Sequence, residues 1–450
     1  MFASGADLQS INPLLTVHPL ARQVQRYLLF TTLVQYDSAL TVQPYLARSW
    51  TWSEQGHALT LRIFQGLRWH DGVPTTSRDA AWTLNAARNP ETGYPRLSDL
   101  ASLSAVAAPD DSTLVLRFTE PQSRIPDVLT DLAILPAHLL DTVPPPSLRG
   151  AAFNEQPVGN GPFRFVTHEA NRRWVFRADS SFPPALGGAP RLERFVVAVV
   201  DEPTTKLAAL ASGELDFAGI QPAHAEFVKR DPDLAVLTYP LLFTYGIVFN
   251  TRKPPFDDPA VRRALSFALD RRQIVDGYIY GFGTPAFGPV VPGLPGYVAP
   301  AETAMSLDSA RALLAGRSIG FELLTVGSGE AALEQMIQAQ LARAGFQVRI
   351  RQMELTAFLD RVNSRHPEFE AAVLGTAGDL GLGYLTTLGA LAGVEVPADR
   401  ARAQRMFQQM IPVAFLYHAR GVQGMNRRVE NVRMDLRGEL AEVTRWKVRD

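Results

Sequence analysis

Apolar positions follow two rhythms along this chain. In the first third, short stretches alternate apolar with polar. "SWTWSEQGHALTLRIF" does so on both sides of a polar tip at Glu54–Gly56, which predicts a β-hairpin, and "DSTLVLRF" reads as a further strand. Between them "HDGVP" is a turn, and Thr76 or Ser77 is placed to cap a helix starting near Arg78 that carries Ala81, Leu84 and Asn85. Residues 24–33 ("VQRYLLFTTL") have helical spacing, closed by Tyr36 and Asp37. "LPAHLLD" is a short helix that "VPPPS" breaks.

From "PVGNGPFRF" onward the order becomes strand, helix, strand. "RWVFRA" and "RFVVAVV" are strands, the second apolar on both faces as in the middle of a covered sheet. A helix opening at Glu202 and Pro203 stops at Gly213, and the strands "LDFAGI" and "LLFTYGIVFN" follow. This rhythm predicts a mostly parallel sheet. "IGFELLTVG", the helix "EAALEQMIQAQLARAG" and "FQVRIRQM" make a second such unit, with "FEAAVLG" as a further strand and "IPVAFLYHA" returning late. The coarse expectation is two α/β lobes joined in mid-chain.

The joint has its own pattern, "FNTRKPPFDDPAVRRALSFALDRRQIV". Pro254 and Pro255 have fixed φ and cannot extend a ladder, so the strand ends there. Asp257 or Asp258 can cap the next helix with Pro259 at its first position, and Asp270 can cap the one after. "GFGTPAFGPVVPGLPGY" is irregular and belongs over a surface or along a cleft.

Composition removes function classes. The 450 residues exceed one core, so two or three domains are expected. Net charge is −1, Lys+Arg 44 against Asp+Glu 45, which gives no pull toward nucleic acid or an anionic membrane. With Cys 0 there are no thiolate nucleophiles, disulfides or cysteine metal sites. No run approaches the roughly 18 apolar residues of a membrane span. "MFASGADLQSINPLL" lacks the basic region and apolar stretch of a signal peptide. Either the protein is cytosolic or an export segment is missing from this chain.

Candidate chemistry is sparse. The eight histidines (His18, His57, His70, His138, His168, His224, His366 and His418) are scattered without metalloprotease spacing. "HPEFE" sets Glu368 and Glu370 near His366 and reads as a solvated acidic turn sooner than a metal site. Ser328 in "GSG" lacks nucleophile-elbow spacing, and "GDLGLG" at 378–383 has neither a Walker lysine nor the dinucleotide pattern. The acid pairs Asp257 and Asp258, Asp110 and Asp111, and Glu214 and Asp216 read as caps, turns or a strand entrance. No catalytic residue, metal or cofactor is expected.

The ordered segments resemble the extracytoplasmic solute-binding proteins of ABC importers, family 5, the oligopeptide, dipeptide and nickel-binding group. The resemblance rests on "LVQYDSALTVQPYLARSWTWSEQGHALTLRIFQGLRWHDGVPTTSRDAAWTL", "PVGNGPFRF", "SGELDF" and "VFNTRKPPFDDPAVRRALSFALDRRQIV". Weaker echoes are "GTPAFGPV", "SLDSARALLAG", "FEAAVLGTAGD" and "IPVAFLYHARGV".

The resemblance implies an α/β, two-lobed type II periplasmic-binding fold, a hinged clamshell with an accessory α+β domain inserted in lobe I. The expected division is lobe I at 1–41, the accessory domain at 42–158, lobe I again at 159–252, lobe II at 253–411 and a C-terminal return to lobe I at 412–450. It implies a non-enzymatic, monomeric protein that captures a small peptide or similar polar solute in an interlobe cleft and delivers it to permease subunits in the membrane. The location would be periplasmic or extracytoplasmic and lipid-anchored, with the export signal upstream of "FASGADLQ". An enzyme working through Asp379 or His366 in the same cleft, and a sensor without transport, are the competing classes.

By the same resemblance, Asp379 in "GTAGD" stands where relatives bind a peptide α-ammonium; the other reading of this residue is a cap of the following loop. Thr31, Thr32, Ala218, Gly219, Ile220, Tyr245 and Tyr417 stand at further ligand positions, and Thr376 replaces the tryptophan usual in the Asp segment. No arginine in "TVGSGEAALEQM" could clamp a dipeptide carboxylate, the stretch between Leu391 and Met406 is shorter than usual, and the histidines give no support for nickel.

Overall fold

The computed structural model describes residues 1–16, 18–301, 304–364 and 367–449, and these fall into two compact units. The first comprises Met1–Leu237 with Gln423–Asp450, the second Thr238–Val422.

The first unit holds a larger and a smaller sheet, besides two two-stranded ribbons. Strand β1 (Phe2–Ser4) belongs to the larger. The smaller is antiparallel, with β2 (Ala47–Ser53), β3 (Ala58–Ile63), β4 (Leu103–Asp110) and β5 (Thr113–Phe118) in the order β2-β3-β5-β4. The expected hairpin is β2–β3, turning at Glu54–Gly56. Between β3 and β4 runs a helix, Ser77–Arg88, packed on β4 and β5. Thr76 caps it in a reciprocal box: its hydroxyl accepts from the Arg78 amide at 3.2 Å and Asp79 accepts from the Thr76 amide at 2.8 Å.

The larger sheet adds β6 (Phe163–Glu169), β7 (Arg173–Ala178), β8 (Arg194–Val199) and β9 (Phe217–Gly219) in the order β6-β7-β8-β1-β9. It is mixed, not mostly parallel: β1 runs parallel to β8 and β9, whereas β7 is antiparallel to both neighbours. The physical reason is connection length. A tight turn at 170–172 can only reverse the chain, and only β8 to β9 has a crossover helix, Pro203–Ala211. Glu202 caps that helix through the amides of Thr204 (3.0 Å) and Thr205 (2.5 Å), bonds that draw its carboxyl down to about 2.

The predicted helix at 24–33 is displaced. The helix spans Pro19–Val24, widens into a π-helical stretch at Gln25–Leu29, and Phe30 is extended. The cause lies in "PVGNGPFRF". The amides of Asn160 and Gly161 donate to the Leu29 carbonyl at 3.0 and 2.8 Å, and the Asn160 carboxamide oxygen accepts from the Thr31 amide at 2.9 Å. These bonds withdraw from a continuing helix the groups it would use. A Cβ on Gly161 would lie 2.5 Å from the Leu28 carbonyl oxygen and 2.7 Å from the Phe30 nitrogen, both backbone. Nearby, Asp131 is surrounded by Arg22, Arg26 and Arg96. Burial raises its pKa, but the three guanidinium groups outweigh that and hold it at about 2.

The second unit is built on residues 238–249 of β10 (Leu234–Phe249), with β11 (Gly283–Pro285), β12 (Ile319–Val326), β13 (Phe346–Met353), β14 (Ala371–Ala377) and the first part of β15 (Val413–Asn426). The order is β13-β12-β14-β10-β15, with β11 beside β15; β12 is parallel to β13 and β14, and β10 antiparallel to β14. Helices Pro259–Ala268, Arg271–Tyr278 and Ala332–Ala342 bury Val261, Leu265, Ile274, Leu333, Ile337 and Leu341 in one core with the sheet residues Ile247, Phe321 and Val373. Asp258 and Asp270 cap the first two, accepting from Ala260 (2.8 Å) and Gln273 (3.0 Å), with Pro259 at the first helical position as expected. Arg271 is buried with no carboxylate partner among the described residues. Its guanidinium donates to the carbonyls of Phe415 (2.7 Å) and Ser266 (3.1 Å) and to the Ser266 hydroxyl (2.9 Å), and burial brings its pKa down to about 10.

His418 on β15 is buried, bonded at 2.8 Å to the Thr244 hydroxyl, and burial lowers its pKa to about 4.

Two expectations follow. Gly161→Ala should destabilise the protein by about 2–4 kcal/mol, because only backbone could yield, as read from urea unfolding. Unfolded, His418 binds its proton near 6.5, so the unfolded chain holds more protons between pH 6.5 and 4. Stability from this group is therefore present above pH 6.5 and lost as pH falls toward 4. His418→Asn should remove about 2 kcal/mol of the stability difference between pH 6.5 and 5, measured by unfolding at both.

Candidate functional site

Parallel strands deliver their carboxyl ends to one edge of a sheet, where helices start and side chains are free to converge. In the second unit these are the ends of β12 and β14, and the antiparallel β10 enters the sheet at the same edge. Alternation along the strands fixes which side chains share a face. Phe321, Leu323 and Thr325 of β12, Val373 and Gly375 of β14, and Tyr245 and Ile247 of β10 line the side that the helix Ala332–Ala342 covers.

Tyr245 lies directly across the ladder from Gly375, and Thr244 across from Thr376. The Tyr245 ring stacks on Tyr417 with centroids 4.8 Å apart and meets Phe243 at 5.4 Å. A Cβ on Gly375 would lie 2.3 Å from Phe243 and 3.1 Å from Tyr245, so the missing side chain is what lets both rings fold over the strand. Tyr417 is buried at 2% exposure, whereas Tyr245 and Thr376 are half-buried.

Asp379 follows the end of β14. Its two carboxylate oxygens accept from the amides of Gly383 and Tyr384, each at 3.1 Å, at the start of the helix Tyr384–Ala392. The geometry is that of a cap, and each oxygen keeps acceptor capacity for a further donor. Burial, and then the Asp379 charge, raise the pKa of the Tyr384 phenol, which donates to the Pro289 carbonyl at 2.8 Å.

In the first unit the expected residues are engaged differently. Thr31 is 0% exposed, and its hydroxyl reaches the Asn160 oxygen at 3.3 Å; the Thr32 hydroxyl donates to the Val34 carbonyl at 2.8 Å. Ala218 and Ile220 are buried, and Gly219 is exposed at the end of β9. The structure thus stacks Tyr245 on Tyr417, sets Thr376 beside Thr244 on the opposite face of the sheet, and places Asp379 just beyond the end of β14. Both threonine hydroxyls are satisfied within the fold.

Sequence reasoning missed Glu334. It sits in the first turn of the helix Ala332–Ala342 at 8% exposure, and the Thr325 hydroxyl donates to it at 2.5 Å. The signal was present: Glu334, Ile337 and Leu341 share the core-facing spacing, so an acid occupies an apolar position. Burial and the Glu334 charge raise the pKa of Tyr245; burial, the neighbouring phenols and Glu334 do the same for Tyr278 and Tyr417.

Other sequence candidates are structural or undescribed. Glu370 accepts from the Glu322 amide at 2.5 Å. His366 lies outside the described residues. Among the described residues no group of three or more His, Cys, Asp or Glu could hold a metal ion, and no helix is long and apolar enough to cross a membrane.

A peptide-binding ABC transporter protein of Brucella ovis is 32% identical over 259 residues, 57% of this chain and 48% of that protein, so the match spans about half of its length. The Escherichia coli dipeptide-binding protein is 25% identical over 467 residues, covering 96% of this chain and 85% of its own. The solved Bacillus subtilis oligopeptide-binding protein with a nonapeptide superposes with a TM-score of 0.77 at 22% identity, over 100% of this chain and 98% of that one, and shows the type II periplasmic-binding fold. The sequence model for bacterial extracellular solute-binding proteins, family 5, matches residues 41–388. With that match across most of its length, the chain belongs to the bacterial extracellular solute-binding proteins of family 5.

Proposed function

We propose that this protein is the substrate-binding component of an ABC transporter, taking up peptides or a peptide-like polar solute outside the cytoplasm and presenting it to permease subunits in the membrane. The observation that carries the reading is the family match across residues 41–388, supported by the near-full-length similarity to a dipeptide-binding protein. The chemistry agrees: half-buried aromatic surface beside carboxylate oxygens suits binding and orientation. A periplasmic or lipid-anchored location goes with this proposal. So does the assignment of the β2–β5 sheet and its helix to the accessory domain expected at 42–158.

Within the second unit we propose Asp379 as the group that meets a peptide α-ammonium, with the half-buried Tyr245 backed by the buried Tyr417 on one face of the sheet and Thr376 on the other. In the first unit the exposed peptide group of Gly219 is the proposed contact, with Ala218 and Ile220 holding it in place. A carboxylate facing an ammonium gains charge-assisted hydrogen bonds worth about 1.5–3 kcal/mol.

Asp379→Asn should therefore weaken a peptide with a free N-terminus by about 10- to 100-fold and leave its N-acetylated counterpart nearly unchanged, as measured by calorimetry. Equal losses would mark damage to the helix cap, since the carboxamide offers one accepting oxygen where the two amides now use both oxygens of the carboxylate. A peptide at about 100 times its Kd should stabilise the wild type by about 2.7 kcal/mol. A broad peptide library that leaves the melting temperature unmoved would remove the peptide assignment.

A further inference from the structure

Buried charges in this protein meet opposite charges or several dipoles. Asp131 has three arginines, and Arg271 has carbonyls and a hydroxyl. Glu334 stands apart. Among the described residues its carboxylate receives one neutral donor, the Thr325 hydroxyl, and no cation. A carboxylate so removed from water is costly unless something positive reaches it.

Its surroundings are apolar and aromatic. Leu333, Ile337, Tyr417 and Val373 belong to one packed cluster, with Tyr245 and Met336 against it. A Cβ on Gly277 would lie 3.0 Å from the Met336 methyl, which sets the end of the helix Arg271–Tyr278 beside the Glu334 helix. A Cβ on Gly283 would lie 3.6 Å from the Tyr417 ring and 2.4 Å from Ile279. Tyr278, between the cluster members Val275 and Ile279 in sequence, is 36% exposed. The raised phenol pKa values of Tyr245, Tyr278 and Tyr417 share the Glu334 charge among their causes, which agrees with a common space.

We propose that Glu334, with Thr325 behind it and the rings of Tyr245, Tyr278 and Tyr417 beside it, binds a positively charged organic group of the ligand, an ammonium or guanidinium separate from the one that Asp379 would hold. The carboxylate supplies a charge-assisted acceptor, and the ring faces attract a cation while rejecting its hydration shell. The bound solute would then be a basic peptide or a polyamine-like molecule. This inference rests on the binding-protein reading above.

The test compares Ala-Lys-Ala with Ala-Met-Ala by calorimetry on the wild type and on Glu334→Gln, with spermidine, agmatine and choline as non-peptide cations in a thermal-shift arm. The wild type should prefer the lysine peptide by about 10- to 100-fold, and Glu334→Gln should lose that preference while keeping its affinity for the methionine peptide. An equal preference in both proteins, or none in the wild type, overturns the inference and leaves peptide binding intact. Should Glu334→Gln fail to fold, Tyr245→Leu leaves the carboxylate in place and should cut the lysine preference about 3- to 10-fold; an undiminished preference overturns it. If neither peptide binds the wild type, the peptide reading fails. A cation that then stabilises the wild type but not Glu334→Gln upholds the charge site, and no stabilisation by any cation ends it.

Discussion

Parallel pairing of β12 with β14 constrains the second unit more than any single contact. Strands paired in parallel must return through a helix, so their carboxyl ends share an edge and their helices begin there. At that edge the ladder stops, amides face outward and side chains replace backbone as partners. Asp379 and Glu334 both lie there, one after β14 and the other in the helix after β12. Gly375 completes the arrangement, because the rings of Phe243 and Tyr245 occupy the volume its side chain would fill.

The two acids show how one edge can hold different roles. Asp379 is partly exposed and closes the amides of a helix start, a local task that short polar side chains after a strand perform by default. Glu334 projects from a helix into the face that carries Leu333 and Ile337, where helical periodicity calls for another apolar group. A fold does not gain stability from placing an acid there, and an apolar residue of similar volume would be at least as stable. The acid is therefore best understood through what approaches it.

Much of the fold was legible from local signals. The hairpin at Glu54–Gly56, the helix opening at Glu202 and Pro203 and the cap at Asp270 are each decided within a few residues and formed as read, and of the alternatives left open Thr76 and Asp258 are the caps. What escaped was set at long range. The helix near residue 24 ends early because Asn160 and Gly161, far along the chain, claim its carbonyl and the amide of Thr31. The same knot occupies the Thr31 hydroxyl, so a residue that looked available for a ligand is committed to packing. The mixed order of the larger first-unit sheet likewise came from the turn at 170–172, which a strand-and-helix rhythm does not register. Glu334 was overlooked for another reason: in a helix of many polar residues, one acid on the wrong face is visible only once the face is known.

Selectivity at such a site works mainly by penalty. A neutral ligand that covers Glu334 removes its remaining water and offers nothing in return, so the cost of desolvating the carboxylate is charged against binding. A cationic ligand brings its own desolvation cost, but the single Thr325 donor leaves acceptor capacity on both carboxylate oxygens, and the ring faces accept positive charge where hydrating water is lost. The larger part of the discrimination then lies in rejecting neutral groups, as it does wherever a site built for a polar partner is offered an analogue lacking it. A site of that kind needs no arginine clamp or metal to be selective, which fits a chain whose sequence shows neither at this edge.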